Sequence, residues 1–231
     1  MTTIKLRSPV PREFALPYSE VKYSISEAIF LPKSKVVKRP LNEVLARRRS
    51  NRRFGEALNP VEMGMLLSLA VKCRPVLPPI GRPDWQTRPY PAAGGCHPID
   101  VMILNLKGHA DAAFIYDPKK HALGMLDSIP ESTILKAIKQ INDILPCADA
   151  SVICFISDSG KLASRYKNFE SLLWRDSGAL THSLSLAAAA LNYVGCPVGI
   201  HGPLALKTLL RAYSGLSGVG GFVVGNSPNR G

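Results

Sequence analysis

Residues 168–195 read NFESLLWRDSGALTHSLSLAAAALNYVG. The recurrence of apolar residues at helical spacing predicts one long helix, about 40 Å in length at 1.5 Å per residue. Its second half, residues 179–191, is apolar almost all round and rich in alanine, so this part is expected to be buried. The small side chains would let another helix approach closely, either from the same chain or from a second subunit.

The same region needs a test for a membrane span. Residues 177–205 contain no Asp, Glu, Lys or Arg, and a stretch of this length could cross a bilayer. Polar residues such as Thr181, His182 and Asn192 interrupt it, and the pattern breaks at residues 195–197, which read GCP. We therefore predict a helix buried inside a globular protein and no membrane partner.

The rest of the chain predicts a single domain preceded by an arm. Of its 231 residues, 46% are hydrophobic and 20% are charged, which is an ordinary globular composition. Residues 1–40 are basic and punctuated by proline, and we interpret them as an extended N-terminal arm lying over the surface or over a partner. Residues 41–231 mix helices and strands without a regular βαβ alternation, which predicts an α+β fold.

The predicted elements follow from local signals. Helices are predicted over 41–50, 59–73, 130–145 and 204–213, strands over 97–106, 150–157 and 218–226, a hairpin turning at 117–120, and a long loop over 74–95. Asn42 and Asn59 are predicted N-caps, with Pro60 at the first helical position. The predicted buried faces are Met63, Leu66, Leu67 and Ala70 on one helix, and Ile134, Leu135, Ile138 and Ile141 on another.

Charge and cysteine usage limit the class of partner and the compartment. The net charge of +12 favours anionic partners such as nucleic acid, an acidic peptide or a phosphorylated cofactor. The five cysteines show no CxxC spacing, which indicates reduced thiols and a cytoplasmic protein. The N-terminus shows no secretory signal, and the histidines show no metal-like pairing, so we predict no metal.

An arginine cluster is the first candidate functional motif. Residues 47–53 read RRRSNRR, so five of the seven positions are arginine. Guanidinium groups and the Ser50 hydroxyl at a helix end would converge on one phosphate, because the planar donors of arginine match phosphate oxygens two at a time. A solvated charged face or a patch for a polyanion would give the same pattern.

Two glycine-rich segments are further candidates. Residues 88–98 read RPYPAAGGCHP, where the small residues would let the backbone approach a flat ligand or would form a plain tight turn. Residues 195–202 read GCPVGIHG and predict a Gly/Pro turn after the long helix. Cys196 and His201 in this segment suggest a nucleophile pair, but no third group that would orient them is visible.

Taken in order, these segments resemble the FMN-dependent nitroreductase family, and most closely its SagB-type (thiazole/oxazole peptide) dehydrogenase branch. The segments are RRSNRRF (48–54), RPYPAAGGCHPIDVMIL (88–104) and RYKNFESLLWRDSGALTHSLSLAAAALNYVGCPVGIHG (165–202). The resemblance implies a three-layer sandwich, in which helices flank a mixed, mostly antiparallel sheet and the termini span a dimer. It also implies a homodimer with FMN at the interface, where the alanine-rich helix would lie.

The resemblance assigns roles to particular positions. Arg48, Arg49, Ser50 and Arg52 would hold the FMN phosphate and ribityl chain, Pro91, Ala92, Ala93 and Gly94 would lie against the isoalloxazine ring, Gly199 and Ile200 would approach flavin N5, and Arg230 would add a phosphate contact. In this scheme Arg47 and Arg53 are neighbours of the phosphate site.

The sequence also departs from the family pattern. Ala92 stands where the family often has Ser, and DSGA (176–179) stands where the branch often has Glu-Ala-Gly-His. Arg165-Tyr166 replaces a Lys-Tyr pair, which leaves Tyr166 as the catalytic candidate, since arginine holds its proton too tightly to act as a base. We expect residues 74–90, Tyr166 and Trp174 to shape the substrate pocket.

The function that follows is an FMN-dependent oxidoreductase that performs two-electron (hydride) transfer. It would be an NAD(P)H-linked reductase of conjugated electrophiles or a SagB-like dehydrogenase acting on a peptide. The alternatives are a degenerate flavin-binding scaffold without turnover and, last, a nucleic-acid-binding protein that uses the arginine cluster and the arm.

Overall fold

The computed structural model describes residues 7–32, 37–77, 85–127, 129–147, 149–199 and 215–228. The helices are α1 (Leu41–Arg47), α2 (Pro60–Ala70), α3 (Glu131–Ile144), α4 (Ser159–Ala163) and α5 (Glu170–Leu191). The strands are β1 (Val10–Pro11), β2 (Ile25–Phe30), β3 (Ile99–Leu106), β4 (His109–Asp117), β5 (Ala122–Leu126), β6 (Ser151–Asp158), β7 (Tyr166–Lys167), β8 (Val194–Val198) and β9 (Leu216–Gly225). The helix predicted over 204–213 lies outside the described residues.

Seven strands form one sheet in the order β2-β5-β4-β3-β6-β9-β8, and β1 pairs separately with β7. Every pairing among the described strands is antiparallel. Successive side chains of β3 point to opposite faces, so Val101 and Ile103 join the core under α2 and α5, while Met102 and Leu104 pack on the side of α3. The predicted three-layer α+β sandwich is confirmed.

Helix α5 is buried on one face only, although its second half was expected to be buried all round. Leu180, Leu184 and Ala188 are buried in the core, whereas Gly178 and His182 are exposed. The helix ends at Asn192, whose left-handed conformation (φ 59°) suits an asparagine at a helix C-terminus. None of the described helices combines the length and the apolar character of a membrane span.

The turn predicted for residues 195–202 is partly wrong, because strand β8 occupies its first half. Strand β8 lies at the edge of the sheet and pairs with β9, and an edge position tolerates Pro197. Gly195 is required by packing, since a Cβ there would come within 2.5 Å of Phe222 Cζ. The glycine and the proline that suggested a turn are thus features of an edge strand.

Other local predictions were corrected by the backbone and the packing. Asn42 does not cap α1, which begins at Leu41 after Pro40 and has no side-chain cap. On α3, Leu135 is half exposed, and Ala137 packs against the sheet with Ile134 and Ile141. The predicted face of α2 is confirmed, since Met63, Leu66, Leu67 and Ala70 are all buried.

The N-terminal arm adds two strands that the sequence analysis did not predict. Strand β2 pairs with β5 at the edge of the main sheet, and β1 pairs with β7 just before α5. The side chain of Arg12 reinforces the second contact through a 2.8 Å hydrogen bond from Nε to the carbonyl oxygen of Ala163. The arm therefore packs on its own chain through backbone pairing. That an arm of residues 1–40 is distinct from a domain of residues 41–231 stays a prediction.

The start of α2 offers a test of a local interaction. The Asn59 side chain accepts a 3.0 Å hydrogen bond from the Glu62 backbone N–H, and Glu62 Oε2 accepts one of 3.1 Å from the Asn59 N–H. Loss of this reciprocal cap in Asn59→Ala should lower the free energy of unfolding by about 1 kcal/mol in urea denaturation. The matched substitution Asn42→Ala, at a helix start without a side-chain cap, should change the free energy of unfolding by no more than about 0.5 kcal/mol. Equal losses in the two variants would contradict the capping role of Asn59.

Candidate functional site

The arginine cluster lies against the C-terminal end of α5. Helix α1 ends at Arg47, and the following segment is held by a 3.1 Å hydrogen bond from the Asn51 N–H to the carbonyl oxygen of Gly195 on β8. The Arg47 guanidinium donates a 2.9 Å hydrogen bond to Asn192 Oδ1. The segment is therefore fixed beside both the end of α5 and the start of β8.

A cleft of about 400 Å³ opens at this junction. Its described lining comprises Arg47, Arg49, Asn51, Ser185, Ala188, Ala189, Asn192, Tyr193, Val194, Gly195 and Ser227. Of the predicted phosphate ligands, Arg49 lines the cleft, while Arg48, Ser50 and Arg52 are not part of this lining. Arg47, which was expected to be only a neighbour, does line it. We refer to it as the cationic cleft.

The predicted ring-side segment forms a tight turn. Ala93–Gly95 make one turn of 3₁₀ helix, in which Gly94 and Gly95 have φ of 55° and 66°. A Cβ on Gly94 would come within 2.5 Å of the Tyr166 hydroxyl, and one on Gly95 within 2.8 Å of the Trp85 ring. Both the positive φ values and the close neighbours require glycine here.

Asp176 on α5 holds this turn in place. The Ala93 N–H donates to both carboxylate oxygens of Asp176, at 3.0 and 3.1 Å. Asp176 is only 4% exposed, and its burial raises the pKa of the carboxyl to about 6, while the bond from Ala93 acts in the opposite direction. In the sequence, Asp176 stood out only as a departure from the family pattern. A lone carboxylate on the buried side of an apolar helix was the sequence signal that would have indicated a buried polar partner for Asp176.

A second cleft, of about 290 Å³, lies along the N-terminal half of α5. Its described lining comprises Trp174, Ser177, Gly178, Thr181, Pro197, Val198, Gly199, Val219, Gly220 and Gly221. A Cβ on Gly178 or Gly199 would meet no atom within 4 Å, so both glycines face open space. We refer to it as the apolar cleft. Gly199 lines this cleft, and its predicted approach to flavin N5 stays a prediction, whereas Ile200 and Arg230 lie outside the described residues.

The two clefts lie along the same face of α5. Ser177 and Thr181 line the apolar cleft, and Ser185, Ala188 and Asn192 line the cationic cleft at the spacings of one helical face. Strand β8 runs back beside this face from Gly195 at the cationic cleft to Gly199, just after the strand, at the apolar cleft. From Ser177 to Ala188 the helix rises about 16 Å at 1.5 Å per residue. We refer to the two clefts together as the groove along α5, which is cationic at one end and apolar at the other.

The three segments singled out in the sequence therefore converge on α5. The arginine segment meets its C-terminal end, β8 runs beside it, and the turn at Ala93 is tied to Asp176, next to Ser177 of the apolar cleft. Tyr166 lies against Gly94 in this turn and is not among the described residues that line either cleft. Trp174, which is 48% exposed, lines the apolar cleft, and its part in a substrate pocket stays a prediction.

The buried carboxyl of Asp176 predicts a pH effect on stability. Because its folded-state pKa is raised above the ordinary value near 4, stability falls as the pH rises from about 4 through about 6 and is constant above. Relative to Asp176→Asn, the wild type should lose on the order of 2–3 kcal/mol of unfolding free energy across this window. Urea denaturation between about pH 4 and pH 7 measures the difference in unfolding free energy between the wild type and Asp176→Asn. If this difference does not change with pH, the pKa of the Asp176 carboxyl is not raised by folding.

Comparison with solved structures shows the same fold in other proteins. A nitroreductase from Ralstonia eutropha JMP134, described there as putative, is 18% identical over 94% of this chain and 99% of its own, with a TM-score of 0.69. The Escherichia coli microcin synthetase McbBCD complex with truncated pro-MccB17 bound contains a chain that is 15% identical, covering 91% of this chain and 79% of that one, with a TM-score of 0.58. An FMN-dependent nitroreductase from Clostridium difficile R20291 is 14% identical over 82% of this chain and 89% of its own, with a TM-score of 0.51. At these identities the similarity establishes the fold.

Sequence comparison gives the family. No curated protein matches the sequence significantly. The Nitroreductase family matches residues 45–225, which include α1 from Leu45, the turn at Ala93, helix α5 and strands β8 and β9. The match thus covers most of the chain and every described element of the groove. The chain belongs to the Nitroreductase family.

Proposed function

We propose that the groove along α5 binds FMN and that the protein is an FMN-dependent oxidoreductase. The observation that carries the proposal is the division of one groove into a cationic end and an apolar end, about 16 Å apart along the helix. A ligand of this shape needs an anionic group at one end and a flat apolar group at the other. FMN has both, and the nitroreductase with a TM-score of 0.51 is described as FMN-dependent.

The residues present fit the phosphate. Arg47 and Arg49 supply guanidinium groups at the cationic cleft, and Asn51 and Ser227 add polar groups to its wall. Guanidinium and phosphate form charge-assisted hydrogen bonds, which are about twice as strong as neutral ones. The family resemblance implied a different set of phosphate ligands, namely Arg48, Arg49, Ser50 and Arg52. Only Arg49 belongs to both sets.

The residues present also fit a flat ring. Gly178 and Gly199 leave open space in the apolar cleft, where side chains would occupy the volume of a ring. The turn at Ala92–Gly94 is held beside this end of the groove by Asp176 and adds backbone without bulky side chains. These residues exclude water from one side of a ring and fix its position, which is the usual contribution of the protein in flavin enzymes.

FMN, when bound, supplies two-electron chemistry in the form of hydride transfer through its N5 atom. The chain itself binds and orients the groups involved. Gly199 would present its backbone near that atom, and Ile200 and Arg230 remain predictions. Tyr166 is the candidate for a proton-holding group, since its hydroxyl lies against Gly94 in the turn.

We further propose a homodimer and a reducing compartment. Trp174 and Gly178 in the apolar cleft are exposed, as is His182 outside it, and a second copy of the chain would cover this side of α5. All five cysteines are free thiols, as expected of a cytoplasmic protein. The remaining alternatives within the family are a reductase that takes hydride from NAD(P)H, a SagB-type dehydrogenase that takes it from a peptide, and a scaffold without turnover.

The visible absorption spectrum of the purified protein tests the proposal, first alone and then with NADH or NADPH added without oxygen. A flavin spectrum that bleaches with either nucleotide establishes the reductase. If the flavin spectrum does not bleach with either nucleotide, the protein is instead assigned as the peptide dehydrogenase or as the scaffold without turnover. If the protein retains no flavin after incubation with FMN and removal of the free FMN, the proposal is refuted, and a salt titration of DNA and RNA binding would then test the arginine cluster as a polyanion patch.

A further inference from the structure

A separate cavity of about 370 Å³ lies between the N-terminal arm and the outer strands of the sheet. Its described lining comprises Glu20, Val21, Tyr23, Ile25, Ala28, Phe30, Gln86, Arg88, Asp100, Ile115, Tyr116, Asp117, Pro118, Lys119, Lys120, Ala122 and Gly124. None of these residues lines either cleft of the groove along α5. We call it the arm cavity, and its volume lies at the lower end of the range for small-molecule sites.

The positive pole of the arm cavity is a buried guanidinium that has unused donors. Arg88 is only 9% exposed, and three of its five N–H groups donate to neutral oxygens: two to Gln86 Oε1, at 2.6 and 3.1 Å, and one to the Tyr90 hydroxyl at 3.3 Å. Two N–H groups remain, and among the described residues no carboxylate lies within salt-bridge distance of Arg88. A buried charge without an ionic partner is costly, and a carboxylate ligand would supply that partner.

The negative pole is Asp100, near the start of β3. Its Oδ2 accepts a 2.9 Å hydrogen bond from the Tyr23 hydroxyl, and among the described residues no hydrogen bond reaches its Oδ1. Arg88 and Asp100 line the same cavity. Each carries a charge that affects the pKa of the other, but they do not form an ion pair. The space between them therefore suits a ligand that bridges two opposite charges.

The charges of the described wall balance one another, which disfavours a ligand of high net charge. The described lining carries three acidic and three basic residues, namely Glu20, Asp100, Asp117, Arg88, Lys119 and Lys120. Two of these, Lys120 and Asp117, already pair with each other at 3.8 Å on the rim. A wall that is neutral overall but has separated poles complements a ligand that is neutral overall and has separated charges.

Small and apolar residues line the arm cavity beside these poles. Ala28 of β2 lies opposite Gly124 of β5, and Phe30 lies opposite Ala122. A Cβ on Gly124 would come within 2.6 Å of Ile25 Cδ1, so glycine keeps the strands and the arm at this separation. Ile115, which pairs with Gly124 from the other side, completes an apolar wall.

We propose that the arm cavity binds a small zwitterion of the α-amino-acid class with an apolar side chain. Arg88 receives the carboxylate, Asp100 receives the ammonium group, and Ala28, Ala122 and Ile115 contact the side chain. The proposal does not depend on the flavin site, since no residue is shared.

Thermal unfolding of the protein with each standard amino acid at millimolar concentration identifies the ligand, because binding to the folded state raises Tm. Calorimetry then compares the best amino acid with its methyl ester, which lacks the carboxylate, and with the matching carboxylic acid, which lacks the ammonium group. We expect saturable binding of an apolar amino acid and at least tenfold weaker binding of each analogue. The proposal is overturned if no amino acid binds or if either analogue binds as well as the parent.

Two variants place the binding in the arm cavity. Asp100→Asn keeps the volume of the side chain and an acceptor for Tyr23, and it should weaken binding of the amino acid at least tenfold. The matched control Asp111→Asn, an exposed position on β4 outside the arm cavity, should leave the affinity unchanged. Arg88→Lys should also weaken binding; since Arg88 is buried, circular dichroism first establishes that this variant folds. Equal effects of Asp100→Asn and Asp111→Asn would overturn the assignment.

Discussion

Replacing Arg49 with glutamine is expected to weaken FMN binding on the order of 10- to 100-fold while leaving the stability of the protein unchanged. Arg49 is exposed and lines the cationic cleft, so its removal deletes charge-assisted hydrogen bonds to the phosphate without disturbing the core. Arg47→Gln should lose affinity as well. Its effect will be less clean, because Arg47 also donates to Asn192 at the end of α5.

Riboflavin is the comparison that makes this test specific, since it lacks the phosphate. The apoprotein is titrated with FMN and with riboflavin while flavin fluorescence is followed. Arg49→Gln should abolish most of the preference for FMN and leave the riboflavin affinity unchanged, and the control Arg53→Gln, in the same segment but outside the cleft, should keep the preference. A larger loss in Arg52→Gln than in Arg49→Gln would instead place the phosphate as the family resemblance does.

Predictions that rest on local interactions were the most successful. The start of α2 was predicted because Asn59 and Pro60 carry their signal within one helical turn, and the structure contains the complete capping box. The hairpin at 117–120 likewise depends on neighbouring residues, since Asp117 Oδ1 accepts hydrogen bonds from the backbone of Lys119 and Lys120. Such signals are readable because the groups that interact are adjacent in the sequence.

Features set by distant parts of the chain were missed. Strand β8 has the composition of a turn, and it forms because β9, about 25 residues further on, offers it a partner. Strand β2 depends in the same way on β5. The sequence also could not show that Asp176 binds the turn at Ala93, which lies 83 positions earlier in the chain. Edge strands and contacts of this range are decided by tertiary packing.

The candidate site shows the same division between local and distant information. The sequence pointed to three segments that the structure brings together along α5, because arginines, small residues and a glycine after β8 are individually suited to a phosphorylated flat ligand. It did not supply the orientation of the side chains within a segment. Arg47 and Arg49, and not Arg48 and Arg52, line the cationic cleft because α1 ends at Arg47 and Asn51 is tied to Gly195 on β8.

Gly178→Leu should separate the binding of FMN from the stability of the fold. Gly178 is exposed within α5, and a Cβ there would meet no atom within 4 Å. Because leucine is a better helix former than glycine, the free energy of unfolding should rise by up to about 0.8 kcal/mol. The new side chain would fill the apolar cleft beside Trp174 and Thr181. FMN affinity should therefore fall on the order of 100-fold, which corresponds to a loss of about 3 kcal/mol in binding free energy.

Two controls decide what such a loss means. Gly178→Ala adds little volume and should retain most of the FMN affinity, whereas His182→Leu adds an apolar side chain to an exposed position of α5 outside both clefts and should retain it fully. Sedimentation velocity on each variant establishes whether the subunits still associate, since the exposed side of α5 is also the proposed dimer surface. If Gly178→Leu remains associated and binds FMN as tightly as the wild type, the flavin ring does not occupy the apolar cleft, and the groove along α5 must be reassigned from its cationic end alone.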